Sequence, residues 1–194
     1  CVCLTLCSCG SNESAEKPSA ASSDTVAKDS SPATTAAAGS RDNTPVVLTG
    51  SADGTVTYGN DSVTVDASHT QEGYLMVSYS GSNSKVKLQI TGSDEITYTY
   101  NLHDGYETFP LTSGSGSYTV GVFENIEGTS YSTLFTQAID VTIQDEFGPY
   151  LYANQYVNFS ADSKVISKAM ELSASANDDL EVIENVYNYI ITNF

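Results

Sequence analysis

The stretch that decides the fold is residues 96–102, which read Ile-Thr-Tyr-Thr-Tyr-Asn-Leu. Apolar or aromatic side chains alternate here with small polar ones, which is the period-two pattern of a strand with one buried face. The side chains predicted to face the core are Ile96, Tyr98, Tyr100 and Leu102. The same kind of pattern recurs in residues 56–58, 63–65, 74–79, 86–90, 118–122 and 139–143.

Turn-forming residues separate these strand candidates. Gly within two residues of Asp, Asn or Glu is typical of tight turns, and such pairs occur at residues 53–54, 59–61, 81–83, 92–94, 104–105 and 127–128. Seven or eight short strands with a spacing of about ten residues indicate an antiparallel sandwich. Residues 46–147 are therefore predicted to form an immunoglobulin-like β-sandwich. Its closing hairpin would cover residues 117–143, with the tip at residues 125–128.

The region before the sandwich has a different composition. Residues 10–45 consist mostly of Ser, Ala, Thr and Pro, and Val26 is their only sizeable aliphatic residue. Such a segment cannot bury enough apolar surface to offset the entropy lost on ordering. It is therefore predicted to be a disordered linker.

The cysteines occupy only the first nine residues, at positions 1, 3, 7 and 9. The rest of the chain therefore has no disulfide, no thiolate metal ligand and no cysteine nucleophile. Leu6-Cys7-Ser8-Cys9 resembles the bacterial lipobox, although Cys7 stands where that motif usually has Ala, Ser or Thr. A metal cluster of the four cysteines and a terminus without a role are the alternative interpretations.

The lipobox resemblance implies a membrane anchor. Residues 1–9 would be a signal-peptide remnant and lipobox, and Cys9 would carry a diacylglycerol after the preceding residues are removed. Two acyl chains hold a protein firmly on a bilayer. The membrane is thus the first expected partner, and the expected location is extracytoplasmic, on the bacterial cell membrane.

Charge excludes one class of partner. The chain has 24 acidic and 7 basic residues, for a formal net charge of −17. Nucleic-acid binding needs clustered Lys and Arg, so nucleic acid is excluded. Residues 46–145 hold 12 of the acidic and 2 of the basic side chains. Most of the charge is therefore expected on the surface of the folded region.

The sandwich offers three weak candidates for chemistry. Abundant tyrosines can build a sugar-stacking platform, but Tyr98 and Tyr100 lie on the predicted core face and Trp is absent. Asp94, Glu95 and Asp104 lie at strand ends, yet no Asp-x-Asp-x-Asp-Gly calcium loop occurs. The sequence therefore predicts no metal, no cofactor and no catalytic residue in this region.

The two histidines, His69 and His103, are the third candidate. They are 34 positions apart, and neither has a cysteine or a Gly-x-Ser-x-Gly nucleophile elbow in the same region. Both are predicted to be solvated loop histidines.

Helical spacing replaces alternation in residues 148–194. A first helix is predicted after an N-cap at Ser160 or Asp162, and a second after an N-cap at Asn177 or Asp178. The second has an apolar stripe at steps of three and four residues, formed by Leu180, Ile183, Tyr187, Ile190 and Phe194. The stripe is still apolar at Phe194, so we expect the two helices to begin a truncated second domain.

Residues 179–194 read Asp-Leu-Glu-Val-Ile-Glu-Asn-Val-Tyr-Asn-Tyr-Ile-Ile-Thr-Asn-Phe. With residues 163–178 they resemble the opening helices of bacterial transglutaminase-like domains. In that family a helix of this kind leads to a catalytic Cys, followed by His and Asp in a papain-like triad. None of the triad lies within these residues, so no catalytic role is carried over and the chain as written is expected to be inert.

Two functions from different classes follow as expectations. In the first, the chain is the anchor, spacer and sandwich accessory module of a surface lipoprotein with a transglutaminase-like cysteine hydrolase or acyltransferase domain. In the second, it is an adhesin-like lipoprotein whose sandwich recognises a cell-wall polymer, a glycan or a protein.

Overall fold

The computed structural model describes residues 37–194. Eight strands form two antiparallel sheets: β1 (Thr57–Gly59), β2 (Val63–Asp66), β3 (Tyr74–Tyr79), β4 (Val86–Thr91), β5 (Thr97–Leu102), β6 (Gly105–Pro110), β7 (Gly116–Glu127) and β8 (Ser130–Val141). Two helices follow, α1 (Lys164–Ser173) and α2 (Asp179–Asn193), and 3₁₀ turns occur at Thr70–Glu72 and Gly148–Tyr150. The predicted mainly β fold is confirmed.

The strand order has immunoglobulin-like topology. One sheet has the order β1-β2-β3-β6 and the other β5-β4-β7-β8. The second order matches strands C′-C-F-G of immunoglobulin-like sandwiches, and β2-β3-β6 matches strands A-B-E. Strand β1 extends the first sheet beyond β2, with which it pairs antiparallel.

The core lies between the two sheets. In the central pairing of the second sheet, Leu88 lies opposite Val122 and Ile90 opposite Val120, and all four are at most 1% exposed. The first sheet covers them with its own buried side chains, which include Val65, Leu75, Val77 and Phe109. Full burial of one such side chain stabilises the fold by about 1.5–3 kcal/mol.

Tyr118 fixes the loop that joins the two sheets ahead of β7. Its ring is buried near the start of that strand, and its hydroxyl donates a 2.8 Å hydrogen bond to the carbonyl of Gly114. This is the tyrosine corner of immunoglobulin-like sandwiches. Burial raises the pKa of the Tyr118 phenol. The sequence predicted a core-facing Tyr118 but not this hydrogen bond.

The predicted core face of residues 96–102 is only half buried. Tyr100 and Leu102 lie in the core, whereas Ile96 is 50% and Tyr98 42% exposed. Strand β5 is at the edge of its sheet, so the first sheet covers only one end of it. The prediction was therefore wrong for Ile96 and Tyr98.

Other elements also differ from the predictions. Strand β6 is additional to the predicted strands. The tip of the last hairpin is Gly128-Thr129, where Gly128 has a φ of 54°. The N-cap of α1 is Ser163, one residue beyond the predicted Asp162. Asp178 caps α2 as predicted, and its side chain accepts a 2.9 Å hydrogen bond from the Glu181 amide.

Two segments connect the helices to the sandwich. The first, residues 39–43, which we call the strap, contacts the turn between the helices. The amide of Gly39 donates to the carbonyl of Ala174 at 2.9 Å, and Arg41 Nε lies 2.7 Å from Asp179 Oδ1. A Cβ at position 39 would lie 2.0 Å from the Ala176 carbonyl oxygen, so the contact requires glycine. The strap lies within residues 10–45, the segment that the sequence predicts to be a disordered linker.

The second segment, residues 151–157, which we call the connector, leaves the sandwich and leads to α1. Tyr152 pairs with Leu48 in an isolated parallel bridge, and its ring packs 4.4 Å from that of Tyr74. The ring of Tyr156 lies 5.5 Å from that of Tyr100. The connector is thus packed along the sandwich.

A charge in the core tests this fold. We expect Val120→Asp to unfold the sandwich, because an unpaired buried carboxylate costs several kcal/mol out of the roughly 5–15 kcal/mol that stabilises a domain. Thr119→Asp is the matched control, since Thr119 is on the exposed face of the same strand. Thermal melting by circular dichroism measures both variants. Equal melting temperatures would contradict the strand assignment.

Candidate functional site

The predicted lipid site, Cys9, lies outside the described residues. The remaining candidates lie within residues 37–194, and the structure allows each to be placed. They comprise the two histidines, the acidic strand ends, the tyrosines near β5 and the apolar face of α2.

His69 lies in a polar cluster in the first sheet's loops. Its Nδ1 is 2.5 Å from Glu72 Oε2, and its Nε2 is 3.0 Å from Asp53 Oδ2. The hydroxyl of Ser51 lies 3.1 Å from the same Nε2. The ring stacks on Tyr74, with centroids 5.2 Å apart. Only 18% of the His69 side chain is exposed, so the prediction of a solvated loop histidine was wrong for it.

The cluster has the outline of a Ser-His-acid triad, but its electrostatics oppose that chemistry. Burial disfavours the charged ring, yet the hydrogen bonds and charges of Glu72 and Asp53 outweigh burial and raise the pKa of His69. A carboxylate at each ring nitrogen favours the protonated form of His69, and that form has no lone pair to accept the Ser51 proton. The contacts of His69 with Asp53 and Glu72 therefore join two loops by ion pairs, and we call this group of three side chains the His69 staple.

His103 is in a second polar cluster, at the end of β5. Its side chain is 66% exposed, as predicted, and its Nδ1 lies 3.0 Å from Glu107 Oε1. Gln155 of the connector donates to Glu107 Oε1 at 3.1 Å and to the carbonyl of Asn101 at 2.6 Å. Burial acts to raise the pKa of Glu107, but hydrogen bonds from His103 and Gln155 outweigh it and lower that pKa. This cluster ties the connector to the sandwich.

The acidic strand ends do not converge. Within residues 37–194 no group of three or more His, Cys, Asp or Glu side chains is arranged to hold a metal ion. Asp94 instead accepts a 3.1 Å hydrogen bond from the amide of Ile96. Glu95 has a φ of 63° in the same turn, and Asp104 forms an isolated bridge with Tyr79.

The tyrosines near β5 are more exposed than the sequence predicts. Burial raises the pKa of Tyr100 to about 12, and the nearby phenols of Tyr156 and Tyr98 act in the same direction. Tyr156 is 71% exposed, although one side of its ring faces Tyr100. An open cleft of about 240 Å³ lies beside the connector and is lined by Tyr106, Glu107 and the amide side chains of Asn154, Gln155 and Asn158.

Helix α2 is apolar on two sides. One side, which includes Val182, Val186 and Tyr189, is partly buried, and Asn185 between them donates to the carbonyl of Leu172 at the end of α1. The other side is Leu180, Ile183, Tyr187 and Ile190, whose exposed fractions range from 51% to 72%. We call this second side the apolar face of α2. The sequence predicted the stripe but not that it would point away from α1.

Comparison of the chain with protein-family models, with curated proteins and with solved structures found no match. No helix among residues 37–194 is both long enough and apolar enough to span a membrane.

The His69 staple predicts a pH dependence. A folded-state pKa above the ordinary value of about 6.5 contributes stability that is fully present below pH 6.5 and is lost as the pH rises through the folded-state value. We expect Asp53→Asn and Glu72→Gln each to lower the pKa of His69, and Asp140→Asn, in the other sheet, to leave it unchanged. NMR titration of the His69 ring measures this. Titration of the wild-type ring at or below 6.5 would refute the staple.

Proposed function

We propose that this protein is a lipid-anchored bacterial surface protein whose sandwich is the accessory module of a transglutaminase-like cysteine hydrolase or acyltransferase. In this proposal α1 and α2 begin the catalytic domain, and the sandwich holds that domain at a fixed orientation. The described residues contribute structure and positioning rather than catalysis.

The apolar face of α2 carries the proposal. An amphipathic helix normally packs its apolar side chains against the core of its domain, whereas the apolar face of α2 is exposed over three turns. A face of this size marks an interaction surface. The resemblance of residues 163–194 to transglutaminase-like opening helices favours the body of such a domain as its occupant.

The packing of the sandwich supports the accessory role. Its core is complete without the helices, since both sheets contribute fully buried side chains to one cluster. The helices join it through the strap and the connector, which are bonded at several points rather than free. A self-sufficient module with packed connections suits the positioning of a neighbouring domain.

The anchor is supported by the lipobox resemblance and by charge. A net charge of −17 opposes binding to anionic lipid surfaces, so attachment would depend on the acyl chains at Cys9. The low-complexity residues 10–36 would separate the anchor from the folded region.

The apolar face of α2 gives the first test. In the native protein isolated from its membrane, we expect an iodoacetamide-sensitive hydrolase or acyl-transfer activity. Ile183→Asp should lower that activity at least about tenfold, because it places a charge in a buried interface. Asn188→Asp, which adds the same charge at an exposed position of α2, is the control. Absence of thiol-dependent activity, or equal activity of the two variants, would contradict the proposal.

The coding sequence after Phe194 gives an independent check. An open reading frame with a Cys, then a His and an Asp, is expected. A stop codon directly after Phe194 would refute the transglutaminase-like assignment.

The anchor is tested separately. We expect mass spectrometry of the native protein to show a diacylglycerol on Cys9, and Cys9→Ser to move the protein from the detergent phase to the aqueous phase of Triton X-114. Cys7→Ser should stay in the detergent phase. An unmodified Cys9 in the mature native protein would refute the anchor.

A further inference from the structure

We propose that the edge of the sandwich at β5 and the connector is a binding site for an uncharged glycan, with Tyr98 and Tyr156 as stacking residues. We call these two side chains the tyrosine ledge. The inference goes beyond the proposed function and does not rest on it, because the ledge lies in the sandwich and the connector and not on the helices.

The exposed tyrosine rings suit stacking on a sugar. Pyranose sugars present apolar C–H faces that pack on the faces of aromatic side chains, and tyrosine combines such a face with a polar hydroxyl. Tyr156 has one ring side toward the buried Tyr100, with centroids 5.5 Å apart, and is 71% exposed. Tyr98 is two residues before Tyr100 in β5, on the same face of that strand, and is 42% exposed. A ring supported from behind and open in front loses little freedom when it binds a sugar.

Hydrogen bonds make the connector around Tyr156 rigid. The connector holds Tyr156 in place, because Asn154 Oδ1 accepts from its amide at 3.0 Å and its hydroxyl lies 3.4 Å from the carbonyl of Thr99. The neighbouring Gln155 donates to both Asn101 and Glu107. Tyr156 therefore lies on a segment bonded to both sheets, and Tyr98 lies on β5 itself, so both rings have the preorganisation that a binding site needs.

Polar groups lie beside Tyr156. Its neighbour Gln155 lines the open cleft of about 240 Å³, whose lining also includes Tyr106, Glu107, Asn154 and Asn158. Amides, a phenol and a carboxylate donate to and accept from sugar hydroxyls. Stacking rings next to such groups form the combination of apolar contact and convergent polar atoms that defines a small-molecule site.

Charge selects the kind of glycan. The cleft lining contains no Lys or Arg, and residues 46–145 carry 12 acidic side chains against 2 basic ones. An anionic polymer such as a polyuronate or a phosphate-rich wall polymer would be repelled. Linear β-1,4-linked neutral sugars expose flat apolar faces and carry no charge. They therefore fit both the exposed rings of the tyrosine ledge and a cleft lining without Lys or Arg.

Titration of the 194-residue chain with chitotetraose and with cellotetraose, followed by ¹H–¹⁵N NMR, tests the inference. We expect at least one of them to bind at millimolar concentrations and to shift the amides of residues 98, 155 and 156. Tyr156→Ala should weaken that binding about tenfold, and Tyr98→Ala should also weaken it. Tyr156→Phe keeps the ring and should bind within about twofold of wild type.

The control is Tyr150→Ala, which removes a tyrosine that is 64% exposed in a 3₁₀ turn outside the ledge and should leave binding unchanged. Unchanged thermal melting of each variant shows that it is folded. No shift with either oligosaccharide, or equal weakening by Tyr150→Ala and Tyr156→Ala, would overturn the inference. Either result leaves the function proposed for the helices unaffected.

Discussion

Antiparallel pairing of β4 with β7 is the constraint on which the rest of the structure depends. It places Leu88 against Val122 and Ile90 against Val120, so that one face of both strands is apolar at every second residue. Strands β5 and β8 can then add only at the outer edges, and the first sheet must cover the apolar face. A one-residue slip in this register would turn the whole apolar set toward solvent.

The same constraint determines where the sandwich is open. Strand β5 is an edge strand, and its far end extends past the cover of the first sheet. The connector packs along this edge, and its side chains bond to the carbonyls of Thr99 and Asn101. An exposed strand edge would otherwise be a template for pairing with another chain. The connector thus protects the edge, presents the tyrosine ledge and leads the chain toward the helices.

Much of the fold could be predicted from the sequence, because alternation is a local property. The predicted strands all appear, and Asp178 caps α2. Alternation does not show which strand is at an edge, which is why Tyr98 was predicted in the core. Strand β6 was missed because Thr108 and Phe109 are adjacent and both buried, which breaks the period of two.

The sites were less predictable, because they join residues that are distant in the chain. Asp53 and His69 meet only through the β1–β2 hairpin, and the sequence gives no sign of that pairing. Arg41 and Asp179 are in contact although they are 138 positions apart, and the whole sandwich lies between them in the sequence. The apolar stripe of α2 was visible from its helical spacing, but its exposure depends on which side α1 covers.

We propose that the sandwich is self-sufficient, whereas α2 packs against a further partner. Amide hydrogen exchange measured by mass spectrometry, on the isolated 194-residue chain and on the protein purified from its native source, tests this proposal most directly. We expect β4 and β7 to be equally protected in both samples, and α2 to exchange much more slowly in the native sample. Equally fast exchange of α2 in both would contradict it.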